Sequence, residues 1–333
     1  MRISNGKIQR FLRFLRRSKA GRLDAVPDPR QGTTKHPWPR ILECLTFGLV
    51  LNLRTLREVE DLSEELYGRA GRISDTTFDQ ALRTVDDQAL QVNLVEQIRA
   101  LHRSKRLGQM KGIPLKILVL DGKNQATLTH DGQGRGHRRT SDTAKWFGSA
   151  AEGLPYWIAP ALRAVLVSTP STPCVLQYAL PPGGGESDNV PAFVDALHSA
   201  YGKSGLAEVM MMDAGLASLA NANHITARGY AYIMGLKENQ PMLLEEARRL
   251  LSLQASEQSP EYSTPWEQRG RYKMRRHIWR TEQIKGVSNT VGEWTHLREA
   301  WLILQETFDP IEDQTTYDTR YFITSVNPRR CKG

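Results

Sequence analysis

The chain has 333 residues, of which 40% are hydrophobic and 24% charged. This length can bury a sizeable core, and the composition is ordinary for a soluble globular protein of two units. Cys44, Cys174 and Cys331 form neither a CxxC pair nor a metal-ligand spacing, which predicts a reduced, cytoplasmic protein. The N-terminus lacks a signal peptide, and the apolar run 41–53 is too short to span a bilayer.

The formal net charge of +9 favours a polyanionic partner, and nucleic acid is the first candidate. Residues 1–22 are the most basic part, with Phe and Leu between the Lys and Arg residues and no acid before Asp24. As a helix, this arm would be amphipathic and could follow a phosphate backbone. The alternative is a solvated, frayed terminus.

Helical periodicity dominates the N-terminal third after a Pro- and Gly-rich linker at 25–40. The sequence therefore predicts a basic arm and a helical DNA-binding region over residues 1–108. Helices are predicted at 38–53, 56–67, 74–85 and 87–101.

From residue 113 the pattern changes to short apolar runs that alternate with helical periodicity. This order predicts an α/β fold over residues 109–333, in which a ribonuclease-H-like mixed sheet is flanked by helices. Strands are predicted at 117–120, 162–167, 175–180, 207–212 and 230–236, and helices at 189–201, 216–228 and 242–253.

Two of the predicted strands end in an aspartate followed by small residues. Asp121 follows the apolar run 117–120, and Asp213 follows 209–212. Carboxylates on neighbouring strand ends can hold Mg²⁺, and two such ions can activate a nucleophile and stabilise the leaving oxygen at a phosphodiester. The alternative is that each aspartate is an ordinary turn residue.

These residues resemble the DDE transposases of bacterial insertion sequences. The similar motifs are Asp121-Gly122-Lys123, Asp213-Ala214-Gly215, the strand end 236–241 and the helical segment 73–78. The resemblance extends from about residue 28 to residue 326. It is to the cut-and-paste subgroup, which carries a β-rich insertion between the second Asp and the final Glu.

The resemblance implies that Asp121 and Asp213 are catalytic and metal-binding residues, with Mg²⁺ or Mn²⁺ as cofactor. It also implies transposition of an insertion sequence, with the terminal inverted repeats and target DNA as double-stranded partners. A homodimer would bring two ends together. No membrane partner is expected.

Basic residues near these strand ends are the predicted DNA contacts. A Gly- and Arg-rich loop follows Asp121, and a basic strand with interleaved aromatics lies in the insertion at about 254–316. The alternative for that strand is a solvated basic face, and Lys273 stands where the family often has an acid. The predicted DNA-binding residues are Lys123, Arg135, Arg138, Arg139, Lys237, Asn239, Arg269, Arg271 and Arg275.

The third acid of the family is not found at its usual place. In the family it follows the strand that corresponds to 321–326, whereas this chain has no acid after Asp318. The sequence therefore predicts a C-terminally truncated transposase without its final helix, in which metal-dependent cleavage is weak or absent. The alternative is a non-catalytic DNA-binding remnant or regulator of transposition. Possible replacements for the third acid are Glu238, Glu245, Glu267 and Glu306.

Overall fold

The structure is a computed structural model. It describes residues 23–32, 34–128, 145–147, 156–180, 185–286, 294 and 296–327. The chain divides into two compact units between Arg106 and Leu107. The basic arm at 1–22 and the predicted DNA contacts Arg135, Arg138 and Arg139 lie outside the described residues.

The first unit is helical, as the sequence predicts. Its second helix begins with a capping box, in which the Thr55 hydroxyl accepts from the Glu58 backbone amide and the Glu58 carboxylate accepts from the Thr55 amide. Its third helix is capped by Ser74, whose hydroxyl accepts from Thr77 N. The helices are α1 (Trp38–Val50), α2 (Leu56–Tyr67), α3 (Asp75–Thr84) and α4 (Asp87–Arg103).

The core of the first unit joins α1 to α2 and α3. Ile41, Ile73 and Phe78 are fully buried and belong to one cluster. Beside this cluster, the buried Glu60 carboxylate accepts from Arg72 Nε at 2.8 Å and from the Asp75 amide at 3.2 Å. A buried carboxylate needs such partners, so these two hydrogen bonds fix the turn between α2 and α3.

Among the described residues, the second unit contains a mixed sheet of eleven strands. Nine strands follow the order β2-β3-β1-β5-β6-β11-β10-β9-β7, while β4 pairs with β3 and β8 pairs with β9. This confirms the predicted α/β class. The strands are β1 (Ile117–Leu128), β2 (Lys145–Phe147), β3 (Tyr156–Leu166), β4 (Cys174–Ala179), β5 (Val209–Met212), β6 (Ala231–Leu236), β7 (Tyr262–Ser263), β8 (Glu267–Arg269), β9 (Tyr272–Thr281), β10 (Glu299–Asp309) and β11 (Gln314–Thr324).

The described part of this unit has three α-helices, which follow β4, β5 and β6 in the sequence: α5 (Val190–Tyr201), α6 (Leu219–Ala227) and α7 (Pro241–Glu257). Each buries an apolar side, as the helical periodicity predicts. In α5, Phe193 and Val194 are fully buried, and the Tyr201 hydroxyl donates to the Val175 carbonyl of β4 at 2.8 Å. This hydrogen bond ties the end of α5 to the sheet.

β1 is longer than the sequence predicts. The apolar run stops at Leu120, but the strand continues to Leu128 because it pairs antiparallel with β3 over its whole length. Its parallel pairing with β5 covers only Ile117 to Leu120. Asp121 therefore lies within a strand, at the point where β1 loses one of its two neighbours.

The predicted β-rich insertion continues the same sheet. β11 pairs antiparallel with β6, and β10 and β9 extend the sheet from there. The return to the sheet predicted at 321–326 is confirmed, since β11 runs to Thr324 beside β6. No helix among the described residues is long and apolar enough to cross a membrane.

We predict that Thr55→Ala destabilises α2. The substitution removes the acceptor for the Glu58 amide, and loss of such a cap costs about 1 kcal/mol. Urea unfolding followed by circular dichroism, together with amide hydrogen exchange of residues 56–67, measures the change. Thr84→Ala is the control, because that exposed hydroxyl donates only within its own helix, to Gln80 O. Equal effects of the two substitutions would contradict the capping role.

Candidate functional site

The two aspartates lie side by side because of the register between β1 and β5. Leu120 pairs with Met212 in the parallel ladder, so Asp121 and Asp213 are the next residues along two neighbouring segments of the chain. Adjacent strands in a sheet lie about 4.8 Å apart. The structure thus brings together two acids that are distant in sequence, Asp121 within β1 and Asp213 directly after β5, at the point where the parallel pairing of the two strands ends. α/β folds commonly place ligand sites near the ends of parallel strands.

The loop after β5 holds Asp213 in place. The side-chain Oδ1 of Asp213 accepts from the Leu216 amide at 3.2 Å, and the residue stays exposed. Gly235 lies under this loop, and a Cβ there would stand 3.1 Å from the Ala214 amide nitrogen. Glycine at 235 therefore allows the loop to cross closely over β6.

A third carboxylate, Glu186, lies near enough to the two aspartates for their charges to act on it, and no sequence pattern singles it out. It lies in the turn before α5, next to a short 3-10 helix at Ser187–Asn189. A Cβ on Gly122 would overlap all three carboxyl atoms of Glu186, so the missing side chain at 122 makes room for this group. Burial raises the pKa of Glu186, and the negative charges of Asp213 and Asp121 raise it further.

Arg163 places a positive charge beside the acids. It lies directly opposite Asp121 in the antiparallel ladder with β3, and its Nη2 is 3.7 Å from Asp121 Oδ2. That separation is longer than a direct hydrogen bond. Its Nε is buried and has no hydrogen-bond partner among the described residues. The guanidinium thus offsets part of the acidic charge without a tight pairing.

The three carboxylates supply the oxygen donors that Mg²⁺ and Mn²⁺ prefer. Among the described residues, however, no three Asp, Glu, His or Cys side chains form a group that could hold a metal ion as they stand. Burial is the main cause of the raised pKa of Glu186, and the negative charges of Asp213 and Asp121 add to it. The donor chemistry therefore fits a divalent cation, whereas binding one would require the side chains to move towards each other.

The acids proposed from the sequence as replacements have other surroundings. Glu267 pairs with Arg276, with 3.6 Å between Oε2 and Nη1, and Glu306 pairs with Arg275 and His277. The hydrogen bond from Arg275 lowers the pKa of Glu306. Glu245 lies in α7, and Glu238 is exposed in the turn after β6. None of the four is among the groups that shift Glu186.

The five basic residues among the predicted DNA contacts that the structure describes fall into two groups. Lys123, Lys237 and Arg269 are exposed. Arg271 pairs with Asp309 at 2.8 Å, and Arg275 pairs with Glu306, its direct cross-strand neighbour on β10. These two arginines are therefore partly neutralised within the sheet, which sequence alone could not reveal because the register between β9 and β10 was unknown.

Asn239 has an internal role that the sequence does not indicate. Its side-chain Nδ2 donates to the carbonyls of Ala214 at 2.7 Å and Ala217 at 3.2 Å. The neighbouring Gln240 also donates to Ala217 O, at 3.4 Å. The motif after β6 thus supports the loop that carries Asp213. A contact between Asn239 and DNA stays a prediction.

Two aromatic side chains accompany the basic residues of β8 and β9. The Arg271 guanidinium lies 4.8 Å from the centre of the Tyr272 ring, and that of Arg275 lies 4.7 Å from the Trp266 ring. Both rings are exposed. Exposed aromatic faces beside cations are the features that single-stranded or unstacked nucleic acid uses for stacking.

We predict that Glu186→Gln stabilises the metal-free protein at neutral pH. Because the folded state raises the pKa of Glu186 above 4.5, ionisation of this group weakens folding as the pH rises from 4.5 through the raised pKa. Removal of the charge should raise Tm at pH 7 by on the order of 1–3 °C, with a smaller gain at pH 4. Differential scanning calorimetry across this pH range measures both values.

Asp188→Asn is the matched control for this prediction, because it removes the same charge from an exposed position of the same turn. It should leave Tm unchanged or lower it slightly, since an acid in a first helical turn is favourable. A gain equal to that of Glu186→Gln would show that general charge reduction is responsible and would contradict the local explanation.

Comparisons with known proteins identify no family for this chain. No family model matches the sequence. No curated protein matches it either. Among solved structures, the Mos1 transposase paired-end complex with left transposon end is similar, with 13% identity and a TM-score of 0.24. The match covers 68% of this chain and 66% of that chain, just under two thirds of its length. A TM-score this low supports no functional conclusion.

Proposed function

We propose that the second unit is a metal-dependent phosphoryl-transfer domain that cleaves DNA and joins strands at the ends of an insertion sequence, as a DDE transposase does. The observation that carries this proposal is the register that sets Asp121 beside Asp213 where β1 and β5 part. The mixed sheet around them is compatible with the ribonuclease-H-like arrangement expected from the sequence.

In this proposal Asp121, Asp213 and Glu186 hold Mg²⁺ or Mn²⁺. Glu186 takes the place of the third acid that the sequence analysis did not find, and Gly122 leaves the room for its carboxylate. Burial raises the pKa of Glu186, and the charges of Asp213 and Asp121 raise it further. The second effect supports the assignment, because a divalent cation would relieve the repulsion. When bound, the cation would activate the attacking oxygen and stabilise the leaving oxygen at the phosphodiester.

The chain's own cations bind and orient the DNA. Arg163 lies beside Asp121 and would contact a phosphate oxygen of the DNA. Its Nε–H is a hydrogen-bond donor that has no partner among the described residues. Lys123 is exposed within β1, two residues after Asp121, and Lys237 is exposed directly after β6. Arg269 and Lys273 add positive charge along β8 and β9. Arg135, Arg138 and Arg139 stay DNA contacts predicted from the sequence. These contacts follow the DNA backbone rather than its sequence.

A second candidate function is DNA binding without cleavage, as in a regulator of transposition. One observation favours it: no three ligating side chains within the described residues form a metal-binding group as they stand. Arg163 would then serve as a permanent counter-charge for Asp121. Both candidates require DNA binding, so cleavage and metal binding distinguish them.

We predict that Asp121→Asn, Asp213→Asn and Glu186→Gln each lower Mn²⁺-dependent nicking of supercoiled DNA by at least about 100-fold, because each removes an anionic ligand. Agarose-gel assays with Mg²⁺ and with Mn²⁺ measure the rate. Mn²⁺ should also raise the Tm of the unaltered chain, and less so for each variant, since binding to the folded state alone stabilises it.

Asp188→Asn is again the control, and its nicking rate and Mn²⁺-induced Tm shift should match those of the unaltered chain. A chain that binds duplex DNA but neither nicks it nor gains stability with Mn²⁺ would support the second candidate. Full activity of Glu186→Gln, with activity lost in both Asp variants, would remove Glu186 from the site and keep the rest of the proposal.

We predict that the double variant Arg269→Gln/Lys273→Gln binds duplex DNA more weakly. Both residues are exposed on adjacent strands. If both contact phosphates, the slope of log K against log salt should fall by about 1.8, or roughly 0.9 per contact. Fluorescence anisotropy at several KCl concentrations measures this slope.

The control for this prediction removes two charges that are already paired. Arg249 pairs with Glu246 in α7, and Arg320 pairs with Asp318 in β11. Arg249→Gln/Arg320→Gln has the same net charge as the test variant and should keep the original slope. Equal loss of slope in both variants would indicate an effect of net charge and would rule out a defined surface on β8 and β9.

A further inference from the structure

The acids of the candidate site come from two loops that are separate in sequence. Glu186 lies in the turn before α5, and Asp213 lies in the loop between β5 and α6. Like charges repel each other, so carboxylates on two separate loops do not draw those loops together. A side chain that bonds to both segments would hold one against the other.

One buried side chain, Asn221 in the first turn of α6, contacts both loops. It is 2% exposed. Its Nδ2 donates to the Leu216 carbonyl at 2.8 Å, in the loop that carries Asp213. The same nitrogen lies 3.2 Å from the Ser187 carbonyl and 3.1 Å from the Ser187 hydroxyl, in the turn that carries Glu186.

The chemistry of these partners fixes the orientation of the amide. The two carbonyl oxygens can only accept, so the group that faces them must be the NH₂ of Asn221 and not its oxygen. The backbone of Asn221 is also tied to the loop, because its amide donates to the Ser218 hydroxyl at 3.1 Å. The NH₂ group of Asn221 is therefore held as a donor between the Leu216 carbonyl on one side and the two Ser187 oxygens on the other.

The connection to each acid is short. Leu216 accepts from Asn221 through its carbonyl, and its own amide donates to Asp213 Oδ1. Ser187 is the residue directly after Glu186. A displacement of Asn221 would thus move Asp213 through Leu216 and Glu186 through Ser187.

Asn239 provides an internal comparison. It also donates to carbonyls of the Asp213 loop, those of Ala214 and Ala217. These hydrogen bonds reach only one of the two acid-bearing segments. The two asparagines therefore share the support of one loop and differ in the link to Glu186.

We infer that Asn221 is a positioning residue that holds the turn of Glu186 against the loop of Asp213, and so sets the separation of the carboxylates. The inference rests on the proposed function only for its consequence, which is divalent-cation affinity. The mechanical part, that one buried carboxamide joins the two segments, stands on the hydrogen bonds alone.

Asn221→Asp tests this inference with almost no change in size. An aspartate at 221 cannot donate in its ionised form and places negative oxygens against the carbonyls of Leu216 and Ser187. In the metal-free full chain, amide hydrogen exchange of residues 185–190 should become about tenfold faster. Asn239→Asp should speed exchange at 213–218 and leave 185–190 unchanged.

The functional consequence is tested by a double-mutant cycle on the Kd for Mn²⁺. Asn221→Asp should raise this Kd about tenfold in the unaltered background and by a clearly smaller factor when Glu186 is already Gln, because only its link to the Asp213 loop then contributes. The effect of Asn239→Asp should persist in the Glu186→Gln background, because it acts through Asp213. A merely structural defect would lower affinity equally in both backgrounds.

Unchanged exchange of residues 185–190 in Asn221→Asp would overturn the inference. If that variant does not fold, Ser187→Ala removes only the hydroxyl acceptor and should give a smaller change in the same segment. If the unaltered chain binds no Mn²⁺, the proposed function fails, while the exchange data still decide whether Asn221 holds the turn. The two failures are thus distinguishable.

Discussion

The parallel pairing of β1 with β5 is the constraint on which the candidate site depends. Four residue pairs, from Ile117 with Val209 to Leu120 with Met212, set two buried apolar strands in register. The pairing fixes the positions of the next residues, Asp121 and Asp213. A slip by one residue would turn one of the two carboxylates to the other face of the sheet. Hydrophobic burial along the strands therefore determines where the polar chemistry lies.

The folded chain holds carboxylates that repel each other close enough for their charges to interact. Glu186 is half-buried near two other acids, and burial and charge both disfavour its ionised form. Arg163 compensates one side without a close hydrogen bond to Asp121. Carboxamides hold the loops by donating to backbone carbonyls, and a neutral donor does this without adding charge to the site. Electrostatic repulsion of this kind is typical of functional sites, where groups that favour ligand binding lower the stability of the folded state.

Much of the fold follows from local sequence, but the site follows only in part. Apolar spacing and caps predict the helices, because burial of one face and satisfied end groups are local properties. Asp121 and Asp213 are predictable because each directly follows a local apolar run, although β1 continues beyond Asp121. Glu186 is not, because its role depends on the space above Gly122 and on the charges of residues brought near by folding. The length of β1 and the ion pair of Arg275 likewise depend on strand register, which local patterns do not specify.

Gly122 also has a consequence for how this chain can change over time. Its hydrogen atom lies where any other residue would carry a Cβ, and that space is filled by the Glu186 carboxylate. A side chain at 122 would therefore displace the Glu186 carboxylate, which can swing aside because it is the far end of a flexible side chain. The two positions are thus coupled through the placement of that carboxylate. A lineage that depends on the carboxylate in this position would retain the glycine, whereas one that lost Glu186 would free position 122 to vary.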